Sequence, residues 1–185
     1  QGGDEPTLTE SGNIIENCYF SGVGTEIVGY VPAVRFLGVG ITVKNCTMHN
    51  AGSHLITGGG SLHKIYNNEL FDSCKEVHDS GAIYAGRNLY QRGVDISNNY
   101  IHHVKSLDKS IGEIACGVYM DDRLSEWYIH NNIFSGMSRG VFMNTGNDAE
   151  IHDNIFIDND VGVRISGAKG QWAELFDSCD EWVKK

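Results

Sequence analysis

One six-residue phrase recurs along this chain and limits its fold more than any other feature. The clearest copy is Ile129-His130-Asn131-Asn132-Ile133-Phe134: aliphatic, any residue, Asn, Asn or Cys, any residue, large apolar. Related copies begin at Ile15, Val43, Ile65, Ile96 and Ile151. First positions 15, 43, 65, 96, 129 and 151 give gaps of 28, 22, 31, 33 and 22 residues. A shortest unit with variable additions describes one fixed repeat carrying loop insertions. Self-similarity at this period is the mark of a solenoid.

Strand geometry sends alternate residues of the phrase to opposite sides. Ile129, Asn131 and Ile133 then share one direction and His130, Asn132 and Phe134 the other, unless a bend intervenes. Asn at the centre of an apolar strand suits a corner. It tolerates left-handed backbone angles, and its amide can bond to the Asn one coil away. Asn-rich hairpins would not return at a minimum of 22 residues. A leucine-rich repeat requires a Leu-x-x-Leu-x-Leu ladder, which this chain lacks.

A second strand follows each phrase. The segments 81–86 (GAIYAG), 116–121 (CGVYMD), 139–144 (RGVFMN) and 161–166 (VGVRIS) align without gaps. Ile83, Val118, Val141 and Val163 form one inward column; Ala85, Met120, Met143 and Ile165 form another. Between them Tyr84, Tyr119, Phe142 and Arg164 point outward, followed by Gly86, Asp121, Asn144 and Ser166. His54–Gly58 is the upstream equivalent, in an ambiguous register. Coils stacked at the usual strand spacing of about 4.8 Å would make a rod of roughly 25–30 Å. The expectation is an all-β chain, a right-handed parallel β-helix of about six coils over residues 12–169.

Residues 1–11 are polar and aperiodic, and a frayed lead-in is expected there. Trp172, Leu175, Phe176, Cys179, Trp182 and Val183 recur at helical spacing, so 170–185 is expected to hold an amphipathic helix over 170–184. It would cap the solenoid or dock on a region beyond these residues. The other end offers no comparable cap, which leads us to expect a piece of a longer chain. No basic-then-apolar leader precedes Gly3-Asp4-Glu5, so no secretion signal is expected within these residues.

The chain carries 14 Lys plus Arg against 24 Asp plus Glu, a net charge of -10. That disfavours nucleic acid and anionic membrane surfaces as partners, since both need a concentrated basic face. Five cysteines are an odd number, so a complete intrachain disulfide set is excluded. Cys18 and Cys46 occupy the fourth place of the phrase and read as reduced, inward-facing ladder members. No run reaches the length of a membrane span.

The stretch His78-Asp79-Ser80-Gly81-Ala82-Ile83-Tyr84-Ala85-Gly86-Arg87, with 117–134 (GVYMDDRLSEWYIHNNIF) one coil later, resembles the pectate-lyase-like right-handed parallel β-helix superfamily. Within it, the chain is similar to β-helix repeat proteins of bacterial polysaccharide-degrading enzymes. The tail 167–185 also resembles the region where members leave the repeat, and the likeness covers residues 12–183. It implies polysaccharide or oligosaccharide chemistry on the outer face of a parallel sheet, in a secreted or periplasmic protein of open oligomeric state.

Glycoside hydrolysis commonly needs two carboxyl groups. The candidates are Asp79, Asp121 and Asp122. In simple register Asp79 would lie well over 10 Å from Asp121 along the strand, given about 3.3 Å per residue; the pair works only if the chain bends before Gly81. Tyr84 and Tyr119 are candidate platforms for sugar rings or a plain aromatic stack. Arg87 and Asn144 would orient substrate, although Arg87 is equally placed for an inter-coil ion pair with Asp122. His78 is a further binding candidate. His130 and His152 should stack one coil apart; with no Cys or carboxylate at ligand spacing they do not suggest zinc. No cofactor is expected, calcium on Asp121, Asp122 and a neighbouring carbonyl being the one alternative. A glycoside hydrolase core or fragment ranks first. A polysaccharide lyase ranks second, because few basic residues lie near the face to neutralise a uronate. A non-catalytic carbohydrate-binding or adhesive solenoid is the third reading.

Overall fold

The third residue of every phrase turns the chain. Asn17, Asn45, Asn67, Asn98, Asn131 and Asp153 have φ of 55, 55, 56, 55, 55 and 53°. Asn and Asp bear this left-handed conformation better than other residues with a Cβ. The corner splits each phrase into two short strands and lets Ile129, Asn132 and Phe134 all point inward, each fully buried. The anticipated bend therefore falls between Asn131 and Asn132.

The computed structural model describes residues 2–27, 29–88, 90–107 and 114–167. Their strands are β1 (Ile14–Glu16), β2 (Tyr19–Ser21), β3 (Val34–Val39), β4 (Thr42–Lys44), β5 (Thr47–His49) and β6 (Ile56–Ser61). Next come β7 (Lys64–Tyr66), β8 (Glu69–Phe71), β9 (Asp79–Gly86), β10 (Val94–Ser97), β11 (Tyr100–His102) and β12 (Ile114–Asp121). The series ends with β13 (Trp127–His130), β14 (Ile133–Ser135), β15 (Arg139–Asn144), β16 (Glu150–His152), β17 (Ile155–Ile157) and β18 (Val161–Ser166). They form three six-stranded sheets, ordered β1-β4-β7-β10-β13-β16, β2-β5-β8-β11-β14-β17 and β3-β6-β9-β12-β15-β18. All the strand pairs are parallel, so the chain winds as a parallel β-helix of about six coils.

The six phrases stand in exact register. Ile15, Val43, Ile65, Ile96, Ile129 and Ile151 pair in sequence across the first sheet. Phe20, Met48, Leu70, Ile101, Phe134 and Phe156 do so across the second. Fourth-place amides lock the coils together. Asn68, Asn99 and Asn132 each send Nδ2 to the next Asn Oδ1 at 3.0 Å, and their backbone N–H groups donate to the same oxygens at 2.9 Å. The Nδ2 atoms of Asn99 and Asn132 also donate to the carbonyls of Ile65 and Ile96, at 2.9 and 2.8 Å. Cys46 takes the ladder place on an earlier coil and is buried, while Cys18 on the end coil is exposed; both are free thiols.

The third, long-strand sheet carries a kink. Ala115 and Val118 belong to the core, whereas Cys116 and Tyr119 pack together outside it. Side-chain direction therefore slips by one at Gly117, which aligns with Ala82, Gly140 and Gly162. A Cβ on Gly140 would meet the Phe156 ring at 2.6 Å and the Gly162 carbonyl oxygen at 2.7 Å. Glycine lets the Phe134–Phe156 stack of the neighbouring sheet press against the bend, its rings 5.1 Å apart and 8° from parallel. The inward columns Ile83, Val118, Val141 and Ala85, Met120, Met143 lie in the core; on the last described coil Val163 and Ile165 keep the register but are exposed.

The lead-in is not frayed. Gly2 pairs with Gly38 at the edge of β3, and the Ser11 N–H donates to the Val39 carbonyl at 2.9 Å. Glycine permits the approach, since a Cβ on Gly38 would overlap the Gly2 backbone. The helix expected over 170–184 lies outside the described residues. Every long insertion falls in a connector beside the long-strand sheet, notably 22–33, 72–78, 87–93 and 103–113; the two-residue Asn corner is never lengthened. Variation is thus concentrated around one face.

Two substitutions separate the roles of adjacent asparagines. Asn132→Ala leaves buried donors and acceptors unpaired, at about 1–3 kcal/mol for each, and should lower the urea midpoint strongly. Asn131→Gly keeps the left-handed corner and should change stability by less than about 1 kcal/mol. Gly140→Ala should cost about 1–3 kcal/mol through the clash with Phe156. Equilibrium unfolding of the three variants checks all of these values.

Candidate functional site

The kink at Ala82 decides where Asp79 goes. With the slip in direction, Asp79 and Gly81 face outward beside Ile114 and Cys116, on the face that carries Tyr84 and Tyr119. Tyr119 Oη donates to Asp79 Oδ1 at 3.0 Å, which joins Asp79 to the tyrosine column. The bend lies just past Gly81 rather than before it.

Asp121 ends β12 and Asp122 follows it. Tyr84 Oη donates to Asp121 Oδ2 at 2.9 Å, and Asn144 Nδ2 donates to Asp121 Oδ1 at 2.9 Å and to Asp122 Oδ1 at 3.4 Å. Arg87 Nε pairs with Asp122 Oδ2 at 3.1 Å across one coil. Asp122 has a φ of 44°, which turns the chain out of the strand and lets both neighbours gather on this face. Gly86 leaves room for the group: a Cβ there would stand 3.1 Å from Asp121 Cβ. The structure therefore brings Asp79, Tyr84, Arg87, Tyr119, Asp121, Asp122 and Asn144 into one cluster.

The aromatic column presents hydroxyls rather than open ring faces. Tyr119 is 2% and Phe142 5% exposed, their rings stacked 4.8 Å apart. Tyr84 meets Tyr119 edge-on at 5.4 Å and lies flat against His54, centroids 4.5 Å apart at 13°. Arg139 and Arg164 cover the Phe142 ring, at 4.7 and 5.3 Å from its centroid.

Electrostatics follow from this packing. Burial, then the charges of Asp121 and its neighbours, pushes the Tyr84 and Tyr119 phenols far up, so both stay protonated donors. The Asp79 carboxyl is raised above the ordinary carboxylate range, first by loss of water around it; the charges of Asp121 and Asp122 also raise it. The hydrogen bond from Tyr119 and the Arg139 charge oppose that shift. Asp79 is exposed as a residue, so solvent screens much of this effect.

His78 lies at the edge of the cluster, in the wall of a cavity of about 340 Å³ shared with Tyr30, Ser53, His54, Glu76 and Asp79. His54 and Tyr30 were not legible as site residues. The run Gly58-Gly59-Gly60 obscures the register of β6, and Tyr30 sits in an insertion outside the repeat. The pairing Ile56 with Ile83 fixes the alignment. A second opening of about 370 Å³ is lined by Glu5, Leu8, Asn88, Tyr90 and Arg92 among others, with none of the three candidate aspartates in its wall. His130 and His152 stack as expected, 5.1 Å apart at 2°. Among the described residues, no group of three or more His, Cys, Asp or Glu is placed to hold a metal ion.

The Asp79 titration tests this geometry. Tyr119→Phe removes a donor that favours the charged form and should move the Asp79 pKa further up. Asp121→Asn removes a like charge and should move it down. A raised folded-state pKa means the folded protein holds the proton more tightly, so Asp79 should reduce stability as pH rises from its unfolded value through its folded one. Carboxyl-carbon NMR of the three proteins reads each direction. Searches against protein-family models, curated proteins and solved structures give no match to this chain.

Proposed function

We propose that this protein is a carbohydrate-active β-helix, the core or a fragment of a secreted or periplasmic glycoside hydrolase of the pectate-lyase-like kind acting on a polysaccharide. The single observation that carries the reading is that two adjoining tyrosines link two differently held carboxyl groups, Tyr119 bonded to Asp79 and Tyr84 to Asp121. Asp79, with its raised pKa, suits the general acid. It would protonate the glycosidic oxygen as the bond from that oxygen to the anomeric carbon breaks. Asp121, held by Tyr84 and Asn144, suits the partner carboxylate. It would take a proton from the water that attacks the anomeric carbon, or attack that carbon itself, according to the separation of the two carboxyls. Asp122, paired with Arg87, would set the position of Asn144 and so of Asp121.

One observation favours the non-catalytic alternative. Asp121 and Asp122 are 5% and 6% exposed and already hydrogen-bonded, as a purely structural cluster would be. A lyase is less well supported. Of the arginines at the cluster, Arg87 already pairs with Asp122 and Arg139 lies over the Phe142 ring.

Release of reducing ends from a panel of neutral and uronate-rich polysaccharides tests the proposal. Asp79→Asn and Asp121→Asn should each lower kcat by about 10²–10⁴, the usual worth of general acid–base catalysis, without loss of folding. Binding without turnover in the parent protein would establish a binding module instead. An unsaturated product from uronate-rich glycans would establish a lyase.

A further inference from the structure

The cavity beside Asp79 is built by three successive connectors entering the long-strand sheet. Tyr30 comes from residues 22–33, Ser53 and His54 from 50–55, and Glu76 and His78 from 72–78. Its volume of about 340 Å³ is at the lower end of the roughly 300–1,000 Å³ of small-molecule sites. That is room for a single ring rather than a length of chain.

His54 is the most constrained group in its wall. The imidazole is 1% exposed, and Nδ1 lies 3.1 Å from the Gly81 carbonyl oxygen and 2.8 Å from Ser80 Oγ. A carbonyl only accepts, so Nδ1 carries the proton. The Ser80 hydroxyl is left to donate to Cys74 Sγ at 3.2 Å. Tyr84 stacks on one face of the ring, and Tyr30 is tilted against it at 5.3 Å, so it cannot turn over freely. Nε2 therefore carries the lone pair and has no hydrogen-bond partner among the described residues. Burial holds the ring neutral, its pKa lowered to about 4. The result is a fixed acceptor, which selects a donor such as a hydroxyl.

Charge limits the ligand further. The cavity wall contains the carboxylates of Glu76 and Asp79. Arg35, whose Nη2 donates to the Tyr30 carbonyl at 2.7 Å, is not among the residues that line it. The wall therefore offers an anionic ring two acidic side chains, Glu76 and Asp79, and neither Lys nor Arg.

We propose that the cavity is a subsite for one uncharged sugar unit, positioned next to Asp79 by a hydroxyl that donates to His54 Nε2. The sugar identity rests on the glycoside reading above; the acceptor and the exclusion of anions rest on the cavity itself. His54 is a specificity-determining residue in this scheme, and Tyr30 supplies the apolar side of the ring's berth.

The test is a titration of protein labelled with ¹⁵N in its histidine rings, using cellotriose, xylotriose and trigalacturonate. A neutral trisaccharide should shift the His54 Nε2 resonance. His54→Phe keeps the ring but removes the acceptor, and should weaken that trisaccharide about tenfold, the worth of one hydrogen bond. Tyr30→Ala, which leaves the Nδ1 contacts untouched, should weaken binding too and serves if His54→Phe does not fold. A neutral sugar that perturbs Asp79 or Asp121 while His54 Nε2 stays unmoved would overturn the subsite and leave the glycoside reading standing. Tighter binding of trigalacturonate would overturn the exclusion of anions. A protein that none of the three sugars perturbs in either region would end both.

Discussion

Everything in this molecule depends on the requirement that each side chain at a corner meet its own copy one coil away. In a parallel β-helix the distance between those copies is fixed by backbone hydrogen bonding, so only side chains content to stack on themselves can occupy the interior. Asn does this with one amide oxygen taking two donors from the coil below while its nitrogen serves the strand behind it. Stacked aliphatic residues do it by contact alone. The core of the long-strand sheet is accordingly monotonous, and its outer surface is free to differ.

That freedom is where function enters. The outward column runs Arg35, Thr57, Tyr84, Tyr119, Phe142 and Arg164, and no two neighbours except the tyrosines repeat. Asp121 and Asn144 likewise meet instead of copies of themselves. Loops are inserted only in connectors flanking this sheet, so the same rigid strands that hold the carboxylates also carry variable walls. A scaffold that varies along one face and repeats elsewhere suits a single elongated ligand, and the proposed polysaccharide reading draws on that.

Much of the fold was legible because periodicity is a direct consequence of stacking. The phrase positions and the columns through Tyr84 and Asp121 coincide with the observed register residue by residue. The local bends were less legible. Strict alternation set Asn131 beside Ile129 and Asp79 on the opposite side from Tyr84, whereas a left-handed Asn and a Gly column each shift direction by one residue. The glycine column was visible in the aligned segments, but its cause, the Phe134–Phe156 stack, belongs to a different sheet and leaves no local signal. Likewise the Tyr rings could be assigned outward, but not their burial, since Phe142 stacks on Tyr119 and His54 on Tyr84. His54 and Tyr30 were unreadable because insertions do not share the repeat.

The central claim is that Asp79 and Asp121 act on one glycosidic bond. A crystal structure of the Asp121→Asn variant with a bound neutral oligosaccharide tests it most directly. The account predicts a glycosidic oxygen within about 2.6–3.2 Å of the Asp79 carboxyl, the reach of a general acid, with the anomeric carbon facing residue 121. A sugar chain seated elsewhere on the solenoid, leaving Asp79 bonded only to Tyr119, would contradict it.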